Sequence, residues 1–321
     1  MKQILIFLAI LFSGVLIFDR AFGFTLEKLY ERSFSGVDSK INYLLQIDKK
    51  KTLVFGSSRA YQGVNPKIIS QDGFNLGAGG KFIGYSAGLI DILDKNNKLA
   101  DTILVHIDLL SYVNNDKSDY DNKNDIKYLS PYYHHNAYIK KEIKNFQKSE
   151  CLKYLFASYP HNGKAFTYIK NIIRSNLENA YLNKGFKRNK FSKKIEESLV
   201  PRIEKKMREQ QIDTFSTISI QAIKYINHIV EICSNNNTQL IFFTTPTLKN
   251  HSAPSLIIQS QMEELLKDYP YYNFRKTDLE SDLIDNTKYW KDLNHFNGLG
   301  ADYFSKILNN SIKNHQTSTL Q

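Results

Sequence analysis

The stretch "LVFGSSRAYQGVNP", Leu53–Pro66, places an apolar run directly before Gly56, Ser57, Ser58 and Arg59. Thr52 to Phe55 is apolar and β-favouring, so it reads as a short buried strand that ends at the glycine. The two serines are then either a nucleophile with its neighbour or a polar turn after a buried strand. Downstream, Asp72-Gly73 signals another turn, and "NLGAGG", Asn75 to Gly80, packs three glycines in front of the apolar stretch Ile83 to Leu93. Glycines there permit left-handed dihedrals and close backbone approach, which predicts a strand-to-helix turn with exposed amides. "TILVHIDLLSY", Thr102 to Tyr112, reads as the next strand, ending near Asp108.

The same alternation returns late in the chain. An amphipathic helix is expected over Ile218 to Cys233, then a strand over Gln239 to Thr244 with Pro246 after it, and a last helix over Gly298 to Leu308. Strands alternating with helices imply an α/β domain with a mostly parallel sheet, whose ligands sit beyond the carboxyl ends of the strands. Gly56, Gly77 to Gly80, Asp108 and Pro246 all fall at such ends. Between the two halves, residues 113–217 carry the cluster "YLSPYYHHNAY" and a Lys-rich helical stretch without glycine-rich turns or strong strands. That segment reads as a helical insertion packed over an α/β body of residues 51–112 and 218–312, with a polar tail at 313–321.

With 321 residues and 42% hydrophobic content, the chain can bury one substantial core or two modest ones. Its net charge of +11 is compatible with nucleic acid, an anionic membrane or a polyanionic glycan as partner, and part of it is background Asn and Lys composition. Cys151 and Cys233 are too few for a disulfide framework and match no metal-knuckle spacing; one disulfide or two buried thiols remain open. Met1 and Lys2 precede an uncharged apolar run, Ile4 to Phe18, followed by Asp19 and Arg20, the pattern of an export signal. Asp19, Arg20 and Phe22 make a poor cleavage site around Ala21 and Gly23. Residues 1–24 therefore read as an uncleaved membrane anchor with Arg20 snorkelling, a cleaved signal peptide or buried helix being the alternatives. A mixed-charge juxtamembrane segment, 25–50, would follow, with the bulk of the chain extracytoplasmic, in the periplasm or on the cell surface.

A serine nucleophile needs a base within hydrogen-bond reach, and the base needs a third group to fix its tautomer and stabilise its charged form. "YWKDLNHFNGLGADYF" offers Asp292 and His295, three apart, so that on a turn before the last helix the carboxylate reaches Nδ1 while Nε2 faces a serine. The bland alternative is a helix-capping Asp beside a surface His. Other residues read mostly as structure. His134-His135 lacks a carboxylate at ligand spacing, His106 sits inside an apolar strand, and Tyr132, Tyr133 and Tyr138 either stack on sugar rings or pack the insertion. The basic run Lys184 to Arg208, with Phe186 and Phe191 interleaved, reads outside the cytoplasm as a solvated face or a contact with acidic lipid or glycan, not as a nucleic-acid site. No metal or cofactor is expected.

Three blocks resemble the SGNH/GDSL hydrolases, and among them the membrane-anchored extracytoplasmic branch of alginate-type O-acetyltransferases and teichoic-acid D-alanine transfer proteins. Gly56-Ser57-Ser58 looks like the first block, Asn75 to Gly80 like the second, and Asp292-Leu293-Asn294-His295 like the last. The resemblance implies a flavodoxin-like three-layer sandwich, Ser58 as nucleophile, Ser57 at the family's Asp position, and the Ser58 and Gly80 amides as oxyanion hole. The family's Gly-x-Asn-Asp block is missing: "HIDLLSY" stands there, and an ionised Asp108 cannot donate to an oxyanion. Arg59, Asn75 and Asp108 are candidate substrate-binding residues, with a surface ion pair as the alternative for Arg59. The function implied is serine-dependent acyl transfer, of acetyl, to or from a cell-envelope or exported polysaccharide, with a multispanning membrane O-acyltransferase as donor partner. A carbohydrate or lipid esterase of the same fold, or a non-catalytic glycan-binding or assembly protein, are the alternatives.

Overall fold

The computed structural model describes residues 1–146, 148–208, 217–250, 256–275 and 281–318. In chain order the elements that matter here are helix α1 (Lys2–Glu31), strand β1 (Thr52–Phe55), helix α2 (Ser58–Gly63), strand β2 (Gly73–Asn75), helix α3 (Ile83–Lys95), strand β3 (Thr102–His106), helices α4 (Ala165–Arg174), α5 (Lys193–Arg208) and α6 (Ile220–Asn235), strands β4 (Gln239–Phe243) and β5 (Tyr271–Tyr272), and helix α7 (Gly298–Ser318). The five strands form one all-parallel sheet in the order β2-β1-β3-β4-β5.

The register explains why the strands read as apolar runs. Val54, Leu104 and Ile241 lie side by side and enter one core with Leu199 and Ile203 of α5 and Phe304 and Leu308 of α7. Leu53, Ile103 and Leu240, one residue back, point to the opposite face and are also buried. A sheet covered on both faces selects continuous β-branched and aromatic residues instead of alternation. Two strands escaped the sequence reading, β2 and β5, because three and two residues are too short to carry a period. The stretch 102–112 is a strand only to His106; Leu109–Ser111 is a 3-10 turn.

The chain divides into two compact units, and the division differs from the expected one. One unit joins Met1–Ile47 to Ile126–Ala180; the other joins Asp48–Asp125 to Tyr181–Gln321. Residues 113–125 and 181–208 thus fold with the sheet and not in an insertion. The basic stretch of α5 is no plain solvated face, since Leu199 and Ile203 on one side of it are buried in the core. The expected insertion's residues 147 and 209–216 lie outside the described residues. The expected tail at 313–321 is helical to Ser318, with 319–321 outside the described residues.

In the unit of residues 1–47 and 126–180, α1 runs unbroken from the apolar start into the expected juxtamembrane segment, ending at Glu31. It contains a window of mean hydropathy 2.2, of which 6% is buried, and is long and apolar enough to cross a membrane. Its C-terminal part packs inside the unit: Tyr30 meets Tyr168 of α4 at 5.3 Å between ring centroids, and Asn171 donates to the Ser33 hydroxyl at 3.0 Å.

Candidate active site

The loop after β1 is built on a glycine that no other residue can replace. Gly56 has φ +137°, and a Cβ there would lie 2.5 Å from the Cβ of His106 on the neighbouring strand. The carbonyl of Gly56 accepts from the Ala78 amide at 2.9 Å, and that of Val54 from the Leu76 amide at 2.7 Å, so the glycine-rich turn is stitched to the end of β1. Ser57 caps α2, its hydroxyl accepting from the Arg59 amide at 3.4 Å. Ser58 is the first residue of α2, is half-buried, and places Oγ 2.7 Å from Nε2 of His295.

His295 stands on the turn before α7. Its Nδ1 lies 2.8 Å and 3.0 Å from the two carboxylate oxygens of Asp292. Oδ1 of Asp292 also accepts from the amides of Asn294 and His295, each at 2.9 Å. Burial pushes this carboxyl up, but the hydrogen bond and charge of His295 and the two amides outweigh burial and hold it below its ordinary value. An ionised Asp292 can only accept, so the proton sits on Nδ1 and Nε2 is left to accept from the Ser58 hydroxyl. The arrangement generates a serine oxygen that can lose its proton as it attacks a carbonyl.

A Cβ built on Gly79 would lie 4.0 Å from that of Ser58, whereas one on Gly80 would meet nothing within 4 Å. Both are exposed, and Gly80 has φ +66°. Asn75 is fully buried, its amide donates to the Ala60 and Val64 carbonyls at 2.9 and 2.8 Å, and its Oδ1 accepts from Gly77 at 2.8 Å. Asn75 holds two turns together and has no face to offer a substrate, which corrects its candidate binding role.

Arg59 and Asp108 face each other. Nη1 of Arg59 lies 3.6 Å from Oδ1 of Asp108, and its Nη2 donates to Oδ1 of Asn294 at 3.2 Å. The pair is largely buried, with side chains 11% and 14% exposed, so this is not a surface ion pair. At 3.6 Å the contact is electrostatic without being a hydrogen bond. Burial pushes the Asp108 carboxyl up, yet the charges of Arg59 and Arg275 and a hydrogen bond from Ser111 help bring it below its ordinary value, so it stays ionised. Arg275 completes the cluster, buried, donating to the Thr247 hydroxyl at 3.0 Å and lowered to about 9 by burial and by the charge of Arg59. Sequence reading missed Asn294 and Arg275. Asn294 stands in the third place of the D-x-x-H turn and was legible there; Arg275 follows an apolar stretch with no local signal.

The remaining candidates are structural. His106 is buried, its Nε2 3.1 Å from the Thr245 hydroxyl, and burial lowers it to about 3, so it is neutral at physiological pH. His135 pairs with Glu27 at 2.7 Å. Tyr132 donates to Oδ1 of Asn42 at 2.8 Å and Tyr133 stacks on Tyr154 at 3.8 Å, which is packing and not an open aromatic platform; Tyr138 is half-buried. Cys151 and Cys233 are both free thiols, the second buried and pushed up to about 12 by burial. Among the described residues no group of three His, Cys, Asp or Glu could hold a metal ion. No protein-family model matches this chain, and neither does any curated protein.

Proposed function

We propose that this protein is an SGNH-type serine acyltransferase, tethered to a membrane by α1 and working outside the cytoplasm on a cell-envelope or exported polysaccharide. The observation that carries the reading is the continuous chain from Ser58 Oγ through His295 to Asp292. The β2-β1-β3-β4-β5 parallel order, which is that of flavodoxin-like sheets, supports the fold assignment, with the serine just past the carboxyl end of β1 where such sheets bind ligands.

In the first half-reaction Oγ of Ser58 bonds to the acyl carbonyl carbon while its proton passes to Nε2 of His295. The donor's C–O bond then breaks, and the leaving oxygen takes that proton. Asp292 keeps Nδ1 protonated and stabilises the transient imidazolium. The Ser58 and Gly80 amides receive the developing oxyanion. In the second half-reaction a sugar hydroxyl gives its proton to Nε2 and attacks acyl-Ser58, and Oγ recovers its proton on release. Acetyl is the acyl group proposed, and a multispanning membrane O-acyltransferase the donor partner. Water in place of the sugar would make the same site an esterase.

The test is intact mass after exposure of the full chain, in detergent micelles, to a fluorophosphonate. One adduct is expected, retained in Ser57→Ala, absent in Ser58→Ala and slowed in His295→Ala. An unlabelled wild type beside a labelled control serine esterase would overturn the proposal.

A further inference from the structure

The span that α1 offers a bilayer is interrupted by charge before its full length is reached. Ile4 to Phe18 covers roughly 22 Å at about 1.5 Å per residue, against about 30 Å of hydrocarbon. Beyond it the helix carries Asp19 and Arg20, which bare lipid would not tolerate. The fold removes that obstacle. Asp19 is buried and its carboxylate accepts from the Ala157 amide at 2.6 Å, the Ser158 amide at 3.2 Å and the Ser158 hydroxyl at 2.5 Å. Arg20 donates to the Leu155 carbonyl at 2.8 Å. A Cβ on Gly23 would lie 2.6 Å from Ala157, so the two backbones touch.

The 155–158 segment is therefore clamped to the next one and a half turns of α1, directly above the apolar run. Its outward side chains are mostly apolar: Leu152 is 69% and Leu155 59% exposed, with Phe156, Phe18 and Phe22 also exposed, and the one exposed charge among residues 152–156, Lys153, pairs with Glu150 at 2.9 Å. Phe22 and Leu26 of α1 and Leu152 and Phe156 wall a cavity of about 600 Å³ at the same level. We propose that residues 152–156 lie in the bilayer interface beside α1, at the level where Asp19 and Arg20 interrupt its apolar surface. The occupant of this surface is lipid, because its exposed side chains adjoin the exposed apolar surface of the candidate span and its charges are partnered, Arg20 by the Leu155 carbonyl, Asp19 by residues 157 and 158 and Lys153 by Glu150, as long basic side chains at a membrane interface require. A second exposed apolar row in the same unit runs along α4, from Phe166, whose neighbour Ala165 lines the same cavity, to Ile173, which lies higher. Asn171 of α4 bonds to Ser33, about 20 Å further along the helix axis than Asp19 at about 1.5 Å per residue.

The inference rests on α1 crossing a membrane, not on acyl transfer. Its test uses the full chain with Cys151→Ser, retaining the buried Cys233, reconstituted in phosphatidylcholine–phosphatidylglycerol vesicles. An environment-sensitive fluorophore is attached to Leu152→Cys, Leu155→Cys, Phe12→Cys or Ile173→Cys, and quenching is read with doxyl-labelled lipid and with aqueous iodide. The expected result is lipid quenching at Leu152→Cys and Leu155→Cys comparable to that at Phe12→Cys, and iodide quenching alone at Ile173→Cys. Leu152→Cys and Leu155→Cys behaving like Ile173→Cys would overturn the proposal. So would protection from both quenchers, which would mean a protein partner or second copy covers the patch. Loss of lipid quenching at Phe12→Cys would remove the premise and the proposal with it.

Discussion

His106 should make the protein lose stability as the pH falls, by an amount that follows from its burial. The ring is 1% exposed, and burial lowers it from 6.5 to about 3. The unfolded chain therefore takes up a proton as the pH drops through about 6.5, while the folded protein refuses it until about 3. Because the unfolded state binds more protons across that window, stability is complete above the unfolded value and declines as the pH falls below it. Between pH 6.5 and pH 4.5 the loss works out at about 2 kcal/mol, approaching 1.4 kcal/mol per pH unit in the lower half of the interval. The assay is urea unfolding of the full chain in detergent micelles at a series of pH values, for wild type and His106→Gln, which keeps a polar partner for Thr245. Asp125, pushed up to about 7 mainly by burial, titrates with the opposite sign, and His161, lowered to about 4, with the same sign, but both are present in both proteins and cancel in the difference. The two stability curves should diverge by about 2 kcal/mol toward pH 4.5, wild type falling faster. Parallel curves would refute the reasoning, because they would mean the ring is solvated in the folded state and the packing of β3 against Gly56 is wrong.

Gly56→Ala combines a left-handed backbone with a Cβ 2.5 Å from another Cβ. Strain and overpacking together should cost about 2–5 kcal/mol, read as a lowered Tm; an unchanged Tm would remove the claim that this turn requires glycine. Asp108→Asn should destabilise more than Arg59→Met, because it removes the one carboxylate that offsets the mutual repulsion of Arg59 and the buried Arg275. Losses of about 3–5 kcal/mol for Asp108→Asn and a favourable coupling of about 1–3 kcal/mol in the double-mutant cycle are expected by chemical denaturation. Additive losses would dissolve the cluster.

The parts of this protein legible in the sequence are those dictated over a few residues. An apolar run broken by Gly56, a glycine-rich turn at 75–80 and an Asp three places before His295 are each set by local sterics or by the reach of one side chain, so strand end, turn and Asp292–His295 contact were all readable. The charge-free start of α1 was readable for the same reason. Tertiary structure alone decided which serine meets the histidine, a contact across 237 positions; the family resemblance anticipated it, but no local rule does. It also decided that Asn75 is spent on two backbone carbonyls, that Arg59 and Asp108 neutralise each other, and that 181–208 completes the core of the sheet. Each of these depends on which distant surfaces pack together and leave polar groups to be paired in the interior. That pairing is a property of the whole packed chain and has no period for a window of sequence to carry. Asp19 illustrates both halves: its charge after an apolar run is plain in the sequence, and only the fold supplies the three donors that allow it to be buried there.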